Sequence, residues 1–92
     1  MSEQPIGVVG AGTMGQGIAQ VLVQSGFAVQ LYDVADEQLQ RARGAIDKGL
    51  GKLVANEKLA AADKDAALAR LATTTALDAL RDCEVIIEAA PE

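Results

Sequence analysis

Three glycines and one aspartate carry the chemistry that can be read from this sequence. Gly10, Gly12 and Gly15, in the stretch IGVVGAGTMGQGIAQ, fit the pattern G-x-G-x-x-G, and Asp33 follows eighteen residues after Gly15. A glycine-rich turn alone is a weak signal; what surrounds this one makes it specific. It leaves a short β-branched run and opens a helix-like pattern, the setting in which each glycine has a task. Gly10 permits a tight turn, Gly12 lets a pyrophosphate approach the backbone without a Cβ in the way, and Gly15 lets the helix pack close to the strands. The first turn of such a helix offers unpaired N–H groups and a partial positive charge to phosphate. A nucleoside-triphosphate loop needs Lys followed by Ser or Thr, and Gln16 and Gly17 stand after Gly15 instead.

Asp33 closes the second strand-like segment, near the ~20-residue spacing of an acid that accepts hydrogen bonds from an adenosine ribose. A carboxylate there repels a 2′-phosphate, and the next residue, Val34, cannot neutralise one. The cofactor expected is therefore NAD rather than NADP, with FAD ranked below because it usually comes with Glu at this position. A plainer reading makes Asp33 a solvated turn residue or a helix cap and the glycines a structural turn; it leaves their mutual spacing unexplained.

The elements that must hold these residues follow from hydrophobic periodicity. Ile6 to Gly10 reads as a first strand buried on both faces. Met14, Ile18, Val21 and Leu22 recur at helical spacing up to Gly26, and AVQLYD, Ala28 to Asp33, reads as a second strand. Strand, helix and strand form a βαβ unit. Leu39, Ala42, Ile46, Leu50 and Leu53 then mark a helix of about five turns, with a break at Ala55 to Lys58 and a second helix over Ala61 to Leu71. ATTT, Ala72 to Thr75, is a third strand, LDALRD a short helical turn, and EVIIEAA, Glu84 to Ala90, a fourth strand. Gly17 is expected to ease helix packing, and Glu88, inside an apolar strand, to partner a buried polar group. The predicted fold is α/β: a Rossmann-like, doubly wound parallel sheet of about four strands, ordered 3-2-1-4, with a helical hairpin between strands 2 and 3.

Composition narrows the partners. The 92 residues fit one domain, 1–92, and half of them are apolar although Phe27 and Tyr32 are the only aromatics. A core of Val, Ile, Leu and Ala suits parallel strands under helices. Eight basic residues among thirteen acidic ones give a net charge of -5, which leaves no basic face for nucleic acid. The one cysteine, Cys83, excludes an internal disulfide and is expected to be a small packing residue. No apolar run has membrane-spanning length, and MSEQPIGVVG does not read as a signal peptide. A cytoplasmic protein is expected.

With these residues placed, the sequence resembles the N-terminal part of the 3-hydroxyacyl-CoA dehydrogenase family. The resemblance rests on IGVVGAGTMGQGIAQ, on YDV at the second strand, on the hairpin from Ala35 to Leu71 and on VIIEAAPE. It implies oxidation of an L-3-hydroxyacyl-CoA to the 3-ketoacyl-CoA with hydride passing to NAD, in fatty-acid or related acyl-CoA metabolism. It implies further that Thr13 and Met14 lie at the turn near the cofactor and that Ala90, Pro91 and Glu92 run beside its nicotinamide half. Lys48 and Lys52 become candidates for acyl-CoA phosphates, although solvated lysines on a charged helix face are the simpler expectation. The family's proton transfer uses a histidine, and this sequence has none. The expectation is thus a truncated domain that binds NAD without catalysing, its catalytic remainder and its helical homo-oligomerisation domain lying beyond the sequence. The alternative is a stand-alone, non-catalytic NAD(H)-binding module. The short-chain β-hydroxyacid dehydrogenases rank third, because they more often carry an Asn-Arg pair after the second strand and lack the hairpin.

Overall fold

The computed structural model of the chain describes residues 4–89. Four strands, β1 (Ile6–Val9), β2 (Val29–Tyr32), β3 (Leu71–Thr74) and β4 (Val85–Glu88), form one sheet in the order β3-β2-β1-β4. All three pairings are parallel, as predicted. Helix α1 (Thr13–Gln24) joins β1 to β2, and α2 (Asp36–Ala55) and α3 (Ala61–Ala69) form the hairpin between β2 and β3. A 3₁₀ turn, Leu77–Leu80, leads to β4.

Side chains alternate across each strand, so Val8, Val29, Leu31 and Leu71 share the face that meets the helices. There they join Leu39, Ala42, Ile46 and Leu50 of α2, Ala19 and Val23 of α1 and Ala67 of α3 in one buried cluster. The predicted stripe of α2 is therefore the core stripe, with Leu53 half-buried at its end. Each such large aliphatic side chain contributes about 1.5–3 kcal/mol by leaving water.

Helix ends follow local chemistry. Gly26, at φ 102°, stops α1 in the left-handed region, with Phe27 N–H donating to Leu22 O at 2.9 Å and Gly26 N–H to Val23 O at 3.3 Å. This pair of bonds satisfies carbonyls that the helix would otherwise orphan. Arg70 adds a guanidinium bond to Val23 O at 2.8 Å, tying the end of α3 to the end of α1. At the hairpin tip, Glu57 occupies the equivalent left-handed position at φ 59°, and Lys58 N–H reaches Leu53 O at 2.8 Å.

Three expectations require correction. The buried face of α1 is Gly15, Ala19 and Val23, whereas Met14 and Val21 are 66% and 62% exposed. Small residues face the sheet because the helix lies close to it, and the larger apolar ones are turned outward. Gly17 does not ease packing, since a Cβ there would meet nothing within 4 Å. Glu88 is exposed on an edge strand and partners no buried group. The fourth strand leaves apolar side chains exposed at the edge of the sheet, with Val85 51% and Ile86 53% exposed.

Candidate cofactor site

The first crossover loop begins where β1 ends. Gly10 takes φ 104°, a conformation that L side chains rarely adopt, and its N–H donates to Tyr32 O at 2.8 Å. The turn brings the Gly10 carbonyl against α1 so closely that a Cβ on Gly15 would overlap the oxygen. Gly15 is thus required by the backbone of the turn itself. Gly12 differs: a Cβ there would meet nothing within 4 Å. Its lack of a side chain serves open space in front of the loop, where a ligand could touch the backbone.

Gly12 is also the N-cap of α1 and supplies no side-chain cap, and the first turn of the helix holds no acidic residue. The backbone donors of that turn are therefore left for an external anion, which the positive end of the helix dipole favours. Thr13 and Met14 are exposed beside them. This donor set fits a pyrophosphate: backbone N–H groups, no carboxylate in the turn and no Cβ over Gly12.

Asp33 follows β2 and stands against this loop. Its carboxylate accepts from Ala11 N–H at 2.9 Å through Oδ2 and from Ala35 N–H at 2.9 Å through Oδ1. Asp33 is half-buried, and the cap of α2 is Ala35, not Asp33. Each ionised oxygen can accept more than one hydrogen bond, so acceptor capacity remains for ribose hydroxyls. Val34 beside it is 80% exposed and brings no cation. The contact between Asp33 and Ala11 was not foreseen from the sequence; the strand order 3-2-1-4, which puts the ends of β1 and β2 side by side, was the signal that could have found it.

The remaining candidates lie elsewhere. Lys48 and Lys52 are exposed on α2, whose 1.5 Å rise per residue carries them roughly 18 and 24 Å along the axis from its start near Asp33. They share a helix face one turn apart and stand away from the glycine turn. Ala90, Pro91 and Glu92 lie outside the described residues. Cys83 is half-buried beneath β1, where a Cβ on Gly7 would come within 3.2 Å of its sulfur. Burial, and then the charge of Asp82, pushes its thiol pKa up, the opposite of a reactive cysteine. An open apolar depression of about 430 Å³ runs along α1 between Thr13 and Leu22 and offers no charged group. Among the described residues no group of His, Cys, Asp and Glu side chains could hold a metal ion, and no helix is long and apolar enough to cross a membrane.

Known proteins resemble this chain in sequence and fold. Residues 5–92 match the family model described as 3-hydroxyacyl-CoA dehydrogenase, NAD binding domain. A probable 3-hydroxybutyryl-CoA dehydrogenase of Deinococcus radiodurans is 48% identical over 86 residues, which are 94% of this chain and 31% of that protein. The crystal structure of a 3-hydroxybutyryl-CoA dehydrogenase from Escherichia coli superposes with a TM-score of 0.94 at 40% identity, covering all of this chain and 20% of that one. That of an (S)-3-hydroxybutyryl-CoA dehydrogenase from Ralstonia eutropha also gives 0.94, at 42% identity, over 99% of this chain and 32% of the other. The chain spans about a third of the length of the curated 3-hydroxybutyryl-CoA dehydrogenases it matches. A family model matched over nearly the whole chain and relatives of 40% identity or more with the same fold decide the assignment: the chain belongs to the 3-hydroxyacyl-CoA dehydrogenase family and corresponds to its NAD-binding domain.

Proposed function

We propose that this chain holds NAD for an L-3-hydroxyacyl-CoA dehydrogenase, in which the substrate hydroxyl is oxidised to the ketone of a 3-ketoacyl-CoA. Bound NAD supplies the hydride acceptor. The observation that carries the reading is Asp33, whose carboxylate is fixed at the mouth of an uncapped, glycine-lined helix N-terminus. In this reading the N–H groups at Gly12, Thr13, Met14 and Gly15 receive the pyrophosphate, Gly10 shapes the turn and Asp33 takes the adenosine ribose. The family resemblance assigns Ala90, Pro91 and Glu92 to the nicotinamide half, and Lys48 and Lys52 are offered to acyl-CoA phosphates.

The chain has no histidine, and the reaction needs a base near neutral pH to take the hydroxyl proton. That base belongs to the part of the dehydrogenase outside these residues, along with the surfaces that form a homo-oligomer. The 92-residue chain therefore binds NAD without turnover. The family resemblance supports a role in fatty-acid or related acyl-CoA metabolism, and the composition supports a cytoplasmic place with neither nucleic acid nor membrane as partner.

Calorimetric titration of the chain with NADH and NADPH tests this reading. NADH is expected to saturate and NADPH to bind more weakly; absence of saturable NADH binding would refute it. Asp33→Ala should weaken NADH roughly 10- to 100-fold, the worth of a hydrogen bond to a charged group, and narrow the gap to NADPH. Gly12→Ala should weaken NADH while leaving the melting midpoint nearly unchanged, because the added Cβ meets no protein atom within 4 Å.

A further inference from the structure

We propose that Asp33 is also the positioning residue of the glycine turn, setting the turn's shape before any cofactor arrives. The inference rests on the cofactor reading only for what the turn is shaped to receive. Its basis is the destination of the two carboxylate oxygens. Ala11 is 3% exposed, so its N–H cannot turn to bulk water, and Oδ2 of Asp33 is its acceptor at 2.9 Å. The bond spans two crossover loops, from residue 11 to residue 33. Oδ1 is held at the same distance by Ala35 N–H, which fixes the carboxylate plane at a second point.

The rest of the turn is pinned only at its ends. Gly10 N–H is held by Tyr32 O and Gln16 N–H by Gly12 O, and Ala11 lies between them. Without Asp33 the Ala11 N–H loses its acceptor in a buried place, an arrangement folded chains avoid. The loop then has reason to reopen, and with it the donors of Gly12 and the first turn of α1 leave the positions that suit a pyrophosphate. Preorganisation of this kind strengthens binding by removing the cost of ordering the loop. Asp33 thus acts on the phosphates through Ala11 while touching only the ribose side of the site.

Amide hydrogen exchange on the ligand-free chain reads the latch directly. The Ala11 amide is expected to be protected in the wild type and to exchange at least tenfold faster in Asp33→Ala, measured relative to the Leu31 amide of β2, which reports global opening. Should Asp33→Ala fail to fold, Asp33→Leu, which keeps side-chain bulk and carries no acceptor, provides the same ratio. An unchanged Ala11-to-Leu31 ratio in the variant would overturn the proposal. Inorganic pyrophosphate, which has no ribose, supplies the second arm. Asp33→Ala and Asp33→Asn are both uncharged, so the loss of repulsion cancels between them. Asp33→Asn should bind pyrophosphate at least threefold more tightly because it can still accept from Ala11, and equal affinities would overturn the positioning role. A wild-type chain that binds neither NADH nor pyrophosphate would refute the cofactor reading, while the exchange ratio would still decide the latch.

Discussion

The two faces of the sheet are built to different standards. One face presents Val8, Val29, Leu31 and Leu71 to three helices, and all four are at most 3% exposed. Among the described residues the opposite face has only the 3₁₀ turn above it, where Leu80 and Cys83 sit over Gly7 beside Ile86. Leu80 is 2% exposed, but Leu77 and Ile86 remain 59% and 53% exposed. Stability is thus concentrated on the helical side, which also holds the glycine turn through α1. The thin side contributes little to this unit and leaves apolar surface uncovered.

Substitutions that cross from one side to the other should separate the two. The largest effect is expected from Gly15→Ala, where the new Cβ overlaps the Gly10 carbonyl. Backbone cannot step aside as a side-chain tip can, so α1 must leave the sheet; a loss of about 5 kcal/mol, the scale of a small domain's whole stability, would appear as a missing cooperative melt. Next comes Ile46→Ala, which opens a cavity under α2 and should cost about 3 kcal/mol by urea denaturation. Ile86→Ala on the thin side should cost under about 1 kcal/mol. A cost equal to that of Ile46→Ala would mean that both faces share the load.

The smallest effect concerns pH. Cys83 has its thiol pKa raised, chiefly by burial and then by Asp82, so the folded state favours the neutral thiol. Its contribution is complete below the thiol's ordinary pKa and is lost as pH rises through the raised one. A slight fall of the melting midpoint across that alkaline window, absent in Cys83→Ala, is the expected signature. Alkylation by iodoacetamide at mildly alkaline pH should be slower in the folded chain than in urea.

Much of this organisation was legible in the sequence, and the exceptions have physical reasons. The core stripe of α2 follows from residue spacing, because Leu39, Ala42, Ile46 and Leu50 are apolar and repeat at the helical period, and the strand order follows from the βαβ pattern around the glycine motif. In α1 the same logic fails. Close approach to the sheet selects Gly15 and Ala19 for the inside, so size no longer marks the buried face and Met14 and Val21 mislead. Glu88 misleads because an edge strand leaves a charged side chain free to reach water. The glycine turn and Asp33 were legible as a pair through their spacing. The bond between Asp33 and Ala11 was not, because periodicity describes single elements and this contact joins two loops.

The register of the sheet also bears on the order of events during synthesis. Ile6 of β1 is paired with Val29 on one side and with Val85 on the other, so the central strand meets its second neighbour only after residue 85 has been made. At a ribosomal rate of roughly 5–20 residues per second, the nascent βαβ unit waits several seconds with one edge of β1 unpaired. Such non-local parallel pairing is intrinsically slow. In the cell, an encounter with a chaperone therefore falls most naturally in the interval between emergence of β2 and arrival of β4.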